Sequence, residues 1–244
     1  MYFNGYIYKR ENNSYTIKNI SRNTENITSI STLIEGKLTS ITDKNVENIG
    51  PYAFYKYTPL EYADFPNVET IDYGGGLTYT TAPFQNCVNL KTLKLPKWNY
   101  PYYTTTSSSY CVIGTSENQN KSPFRTLSNL TEINYGVLSL PNAYTNSSGK
   151  VTRTNFVFYA PLVNNKLTKM TLASCSIIGN NNFHKTNLQE VILGKENINI
   201  NIGQSAFAGC TNLETINLDA VTSLGNSAFY NCTNLKSIFN LSRI

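Results

Sequence analysis

Charge is scarce in this 244-residue chain: Asp, Glu, Lys and Arg together supply 14% of it, where ordinary soluble domains carry about 25%. Asn, Ser, Thr and 18 Tyr take their place, so the surface is kept wet by neutral hydrogen-bonding groups. The net charge is +5, but the cations are scattered, and Lys9-Arg10 and Lys150 with Arg153 are the nearest thing to a basic cluster. A nucleic-acid groove needs clustered cations to displace counterions from phosphates, which argues against nucleic acid as a partner. No apolar run approaches the length of a membrane span, which argues against membrane insertion. Met1 to Tyr6 lead straight into Lys9, Arg10 and Glu11, without the apolar stretch of a secretory signal.

The side chains that carry chemistry are as sparse. The sole histidine, His184, stands between Phe183 and Lys185, with no second His or carboxylate at ligand or general-base spacing; it reads as a surface or cap residue. Asp occurs four times, at 43, 64, 72 and 219, and no Asp-x-Asp calcium loop forms. Gly74-Gly75-Gly76 lacks the Lys-Ser/Thr of a phosphate-binding loop. Five cysteines (87, 111, 175, 210 and 232) include no Cys-x-x-Cys pair, which argues against zinc and against a disulfide framework. Glu132 and Glu190 share a face, yet no spacing sets them at the separation glycoside hydrolysis requires. The expectation is a chain with no catalytic residue, no metal and no cofactor.

What the chain has is a repeat. Ser205-Ala206-Phe207-Ala208-Gly209-Cys210-Thr211-Asn212-Leu213-Glu214-Thr215-Ile216 returns 22 residues later as Ser227-Ala228-Phe229-Tyr230-Asn231-Cys232-Thr233-Asn234-Leu235-Lys236-Ser237-Ile238. Pro83 to Pro96 is a further copy, with Phe84, Cys87 and Leu90 in place. Phe124 with Leu130, Phe183 with Leu188, Leu167 with Leu172, Phe54 with Leu60, and Leu38 with Ile41 continue it with decay. Each Leu-x-x-Ile-x-Leu segment predicts a short strand with its apolar residues inward. The Asn before each Leu suits a tight turn, and the Ala-Phe pair predicts a short helical turn whose rings stack into a spine. One unit cannot bury its own apolar face; stacked units can.

The string Ile-Gly-x-x-Ala-Phe-x-x-Cys-Thr-Asn-Leu-x-x-Ile resembles the BspA-like leucine-rich repeats, over roughly residues 38 to 244. The resemblance implies an α/β solenoid, with short strands on one face and short helical turns or irregular segments on the other. It implies adhesins and interaction modules of bacterial surfaces or of phages, without shared catalytic residues. Virion or cell surface is the location it implies.

The leucine anchors 60, 90, 130, 167, 188, 213 and 235 are spaced 30, 40, 37, 21, 25 and 22 apart. The first three spacings hold insertions, placed near 73–82, 97–122 and 141–155 and expected to emerge as loops or hairpins. The third reads as a hairpin turning at Ser148-Gly149. Residues 1–27 fall outside the repeat and predict a β-hairpin around Glu11-Asn12-Asn13-Ser14, serving as a solenoid cap or a docking element; residues 28–244 form the solenoid. Asn240 to Ile244 follow the last strand, either as a minimal cap or beside an open end.

Two surfaces are candidates for contact. The second insertion carries Trp98, Tyr100, Tyr102, Tyr103 and Tyr110, residue types enriched at binding hot spots; the same rings could instead pack down on the solenoid. The outward strand positions carry Tyr62, Lys94, Glu132, Lys169 and Glu190 in a row mixed in sign and mostly polar, which reads as a solvated face at least as much as a contact, so the aromatic insertion is the main contact expected. The expected function is a non-enzymatic module binding protein or glycan, in cell-surface adhesion or phage host attachment. The alternative is a structural virion, tail or assembly component locked to neighbouring subunits, a part of a larger particle.

Overall fold

The computed structural model describes residues 2–3, 6–11, 14–20, 39–44, 46–49, 53–71, 83–98, 126–136, 139–140, 144–145, 151–153, 166–194 and 199–239. An eight-stranded sheet runs the length of the repeats. In chain order its strands are β4 (Ser40–Thr42), β6 (Tyr62–Asp64), β8 (Thr92–Leu95), β9 (Glu132–Tyr135), β13 (Lys169–Leu172), β15 (Glu190–Leu193), β17 (Thr215–Asn217) and β19 (Ser237–Phe239). Every pair is parallel, and each strand neighbours the one from the next repeat. That succession is what a stack of coils produces, and it is the predicted solenoid.

A second parallel sheet closes the coils. It is formed by β10 (Ser139–Leu140), β14 (Ile177–Ile178), β16 (Ile200–Ile202) and β18 (Val221–Leu224), with β5 (Asn48–Ile49) pairing β7 (Thr70–Ile71) as a separate parallel ladder. Ahead of the repeats stand β1 (Tyr2–Phe3), β2 (Tyr6–Glu11) and β3 (Ser14–Ile20), all antiparallel, with Glu11 opposite Ser14. β11 (Tyr144–Thr145) and β12 (Val151–Arg153) form an antiparallel hairpin in the third insertion. The glycine-rich turn at 74–76, the Ser148-Gly149 turn, Leu38, Phe124 and Asn240 to Ile244 lie outside the described residues.

Register makes the core. The middle residue of each main strand lies opposite the same residue of the next, so that Ile41, Ala63, Leu93, Ile133, Met170, Val191 and Ile216 form one buried row. The anchors Leu60, Leu90, Leu130, Leu167, Leu188 and Leu213 are fully buried beside it. Burying each such side chain contributes about 1.5–3 kcal/mol, which no single coil could collect alone.

The Phe spine is present, on turns rather than helices. Phe54 stacks on Phe84 with ring centres 5.0 Å apart, and Phe207 stacks between Phe183 at 5.1 Å and Phe229 at 5.4 Å. A helical turn is prevented by where the peptide groups point. Asn181, Phe183 and Lys185 donate their N–H groups to the carbonyls of Gln204, Ala206 and Ala208 in the next coil. Ser205, Phe207 and Gly209 donate in turn to Asn226, Ala228 and Tyr230. The residues on either side of each Phe, such as Asn181 and Lys185, Ser205 and Gly209, Ser227 and Asn231, have positive φ. That conformation turns alternate N–H groups outward to the neighbouring coil instead of along a helix axis.

The cysteine and asparagine of the repeat also reach back one coil. Cys87, Cys210 and Cys232 donate their thiols to the Phe54, Phe183 and Phe207 carbonyls at 2.9, 3.0 and 3.1 Å. Burial pushes the Cys87 thiol up to about 12 and that of Cys232 to about 11, and it raises Cys210 as well. They are therefore protonated donors at neutral pH, not nucleophiles. Asn89 and Asn129 donate side-chain N–H groups to the carbonyls of Thr58 and Val88 at 2.9 Å. The amide expected to close its own turn thus bonds the preceding coil.

Candidate binding face

The outward residues of the main strands form two parallel rows. Tyr62, Thr92, Glu132, Lys169, Glu190 and Thr215 are register partners in one; Asp64, Lys94, Asn134, Thr171 and Ile192 are partners in the other. Strand alternation puts them all on one side, and all but the exposed Thr215 are half-buried. The five sheet residues singled out in the sequence (Tyr62, Lys94, Glu132, Lys169 and Glu190) therefore fall on one continuous face crossing five strands.

These groups are coupled in sequence across the coils. The Tyr62 hydroxyl donates to Asp64 Oδ2 at 3.1 Å, and Lys94 Nζ lies 5.5 Å from the centre of the Tyr62 ring. Lys94 Nζ then stands 4.0 Å from Glu132, and Lys169 Nζ stands 3.0 Å from Glu190. Lys169 is the register partner of both Glu132 and Glu190. The hydrogen bond that Lys169 donates to Glu190 raises the pKa of the lysine, opposed by desolvation and aided by the charges of Glu190 and Glu132. Partial burial and then the Asp64 carboxylate raise Tyr62. Side chains this exposed, 29–39% for the two ion pairs, gain about 0–1 kcal/mol per pair. Their arrangement stabilises the fold little and leaves both signs of charge within reach of a partner.

Sequence reasoning missed a third row, at the residue immediately before each strand. Lys91 Nζ is 2.7 Å from Glu61, and Lys236 pairs with Glu214. Aligning the repeats on their leucines would have exposed it, since Glu61 and Lys91, then Glu214 and Lys236, occupy one repeat position with opposite charge. Asn217, an outward strand position in the sequence, has a backbone role that the sequence did not show. Its amide accepts from the Leu193 N–H at 2.6 Å and donates to the Leu193 carbonyl at 2.8 Å, so a side chain takes the place of a strand partner.

The aromatic insertion divides. Tyr100, Tyr102, Tyr103 and Tyr110 lie outside the described residues. Trp98 is 2% exposed and belongs to the core, so the expectation that it faces a partner is corrected. The reason is local: Trp98 closes the turn after β8 with its N–H on the Leu95 carbonyl at 3.1 Å, which sets it on the buried side. Because it is the one Trp of the chain, the emission of the native protein should be blue-shifted and resist a dissolved quencher such as acrylamide. Quenching of the native chain as efficient as that of the unfolded chain would show that the ring is not buried.

His184 is half-buried, and desolvation and then the Lys185 charge lower its pKa. Among the described residues no three His, Cys, Asp or Glu side chains gather as a metal-binding group, and no helix is long and apolar enough to cross a membrane.

Among curated proteins none matches the chain. Two solved structures align over nearly its whole length. A leucine-rich repeat protein from Bacteroides ovatus is 15% identical, over 98% of this chain and 94% of its own, with a TM-score of 0.25. A leucine rich cell surface protein from Faecalibacterium prausnitzii is 15% identical, over 100% and 96%, with a TM-score of 0.26. The family model for the BspA type leucine rich repeat region matches in six copies, across residues 11–99, 37–146 and 154–244. Repeats of this kind are in general interaction scaffolds rather than enzymes. With the repeat legible in the sequence, realised as stacked coils and matched over most of the length, the chain belongs to the BspA-type leucine-rich-repeat family.

Proposed function

We propose that the chain is a non-enzymatic binding module that recognises protein or glycan through the outward face of its eight-stranded sheet. The observation that carries this reading is the continuous run Asp64–Tyr62–Lys94–Glu132–Lys169–Glu190, in which an aromatic ring and charges of both signs are held half-exposed on one rigid face. Fixed, mixed-sign groups on a sheet are pre-organised, so a partner's polar groups meet them without an ordering cost. Tyr100, Tyr102, Tyr103 and Tyr110 are proposed as a second contact. Cell-surface adhesion or phage host attachment is the proposed setting.

The test compares the chain with a Lys169→Ala/Glu190→Ala variant and a Tyr62→Ala variant in affinity capture from the native source, read by mass spectrometry and glycan analysis. Removing both members of an exposed pair leaves no lone charge, so stability should change by less than about 1 kcal/mol. Affinity for the captured partner should fall at least about tenfold, as for loss of one hot-spot group. Undiminished capture by both variants would reduce the face to solvated scaffold.

A further inference from the structure

The middle of the outward face holds polar groups whose bonding capacity is unspent. Three neighbouring strands, β8, β9 and β13, each place two side chains there: Thr92 and Lys94, Glu132 and Asn134, Lys169 and Thr171. Strands lie about 4.8 Å apart, and same-face residues about 6–7 Å apart along each, so the six form a small grid. Lys94 Nζ stands 4.0 Å from Glu132 Oε1, too far for a direct hydrogen bond and close enough for one shared atom to bond both. Asn134 Oδ1 is closed off from solvent and has no donor among the described residues. Thr92 and Thr171 border these two acceptors as the register partners of Glu132 and Asn134.

The make-up of the face narrows the ligand. Its two outward rows set Asp64, Glu132 and Glu190 against Lys94 and Lys169, a net of −1 on a chain of +5. A polyanion needs clustered cations, which this face lacks. A cationic partner meets carboxylates that neighbouring lysines already offset. Protein interfaces are anchored by apolar and aromatic side chains at their centre. The centre here is Thr, Glu, Asn and Lys. The exposed large apolar residues among those described, Val88, Ile177 and Tyr230, all lie off the eight strands of this sheet. The ligand that fits is uncharged and dense in groups that both donate and accept.

Resting on the reading of this face as the binding surface, we propose that the grid is a subsite for an uncharged oligosaccharide. One sugar hydroxyl sits between Lys94 and Glu132, accepting from the ammonium and donating to the carboxylate. At about 2.8 Å from each, it spans the 4.0 Å gap. A vicinal hydroxyl donates to Asn134, whose amide turns about a soft terminal torsion to present Oδ1. The Tyr62 ring, two strands from Glu132, offers the next sugar an amphipathic surface. No ion pair joins protein to ligand, so salt has little effect on the affinity.

The experiment applies the whole chain to an array of neutral, sialylated and sulfated oligosaccharides, then titrates a retained sugar in solution. Neutral sugars should be retained, with a Kd that changes less than about twofold between roughly 0.05 and 0.5 M NaCl. Glu132→Ala and Asn134→Ala should each weaken binding at least about tenfold, with an unfolding midpoint within about 3 °C of the parent's. Ile177→Ala, on the other sheet, should bind as the parent does. The backbone amide signals of Glu132, Asn134 and Thr171 should shift on titration. Retention of charged sugars alone, a tenfold loss of affinity in high salt, or full binding by both Glu132→Ala and Asn134→Ala would overturn the inference. If no sugar is retained while Lys169→Ala/Glu190→Ala loses capture of a protein, the oligosaccharide inference fails and the face reading stands. If that capture is also undiminished, both fail.

Discussion

Phe207→Ala is expected to lower the unfolding free energy by about 3–5 kcal/mol. The ring is fully buried and stacks on both sides, on Phe183 at 5.1 Å and on Phe229 at 5.4 Å. Its removal deletes the transfer free energy of a large side chain and leaves a void between two coils. The backbone at this point is pinned by the bonds from Phe183 N–H to Ala206 O at 2.7 Å and from Phe207 N–H to Ala228 O at 2.8 Å. The coils therefore cannot collapse into the gap, and the cavity contribution stays near the top of its range. In a stack where each coil touches only its neighbours, the loss falls on two junctions at once. For a chain of this length the midpoint should drop by roughly 10 °C or more. Tyr230→Ala is the matched control: that ring is 72% exposed, and its loss should change stability by no more than about 0.5 kcal/mol. Thermal and urea unfolding followed by Trp98 emission reads both. A Phe207→Ala loss below about 1 kcal/mol would mean the stacked rings are not part of what holds the coils together.

The sequence exposed most of this architecture because a stacked fold repeats its constraints. Every coil must place a leucine, a strand and a ring at the same height, so Leu213 and Leu235, or Phe207 and Phe229, mark one another at a fixed offset. Inward and outward positions followed from strand alternation, which is why Tyr62, Lys94, Glu132, Lys169 and Glu190 could be set on one face beforehand. The turn around each Phe was less legible. An Ala-Phe pair carries no local sign that its N–H groups will bond to another coil, because the acceptors lie 21 or more residues away. Trp98 was misread for a similar reason. Its neighbours in sequence are polar and aromatic, but its environment is the apolar end of β8, and composition near a residue does not report which side of a turn it takes. The ion pairs between coils were visible only in part, since a pair such as Glu61 and Lys91 is 30 residues apart until the repeats are aligned. A ligand of the proposed binding face would have no counterpart in the repeat at all. Residues that contact a partner answer to that partner's shape, so nothing obliges them to recur.

Gly203→Ala should destabilise the chain by about 3 kcal/mol, a large effect for one methyl group. The glycine of the Ile-Gly-x-x-Ala-Phe string is a point of close approach between two coils. A Cβ at Gly203 would lie 2.5 Å from Asn180 Oδ1, 2.7 Å from Asn180 N and 2.8 Å from Gly179 C, two of these being backbone atoms that cannot swing away. Relief requires the coils to part, which stretches the bonds from Gly203 N–H to Ile178 O at 2.7 Å and from Gln204 N–H to Asn180 Oδ1 at 2.8 Å. Gly225 is held the same way, one coil on, against the backbone of Gly203 and Gln204. Gly209 supplies the contrast. Its φ is +75°, yet the equivalent positions Lys185 and Asn231 adopt 56° and 59° with side chains present. A Cβ there would meet the Lys185 Cγ at 2.8 Å, in a flexible side chain that can move. Gly209→Ala should therefore lose only about 1–2 kcal/mol, the penalty of a left-handed residue. Urea unfolding of the two variants side by side separates close approach from conformational freedom as the reason for glycine. Equal losses, or a larger one at Gly209, would show that backbone contact between the coils at Gly203 is not the constraint.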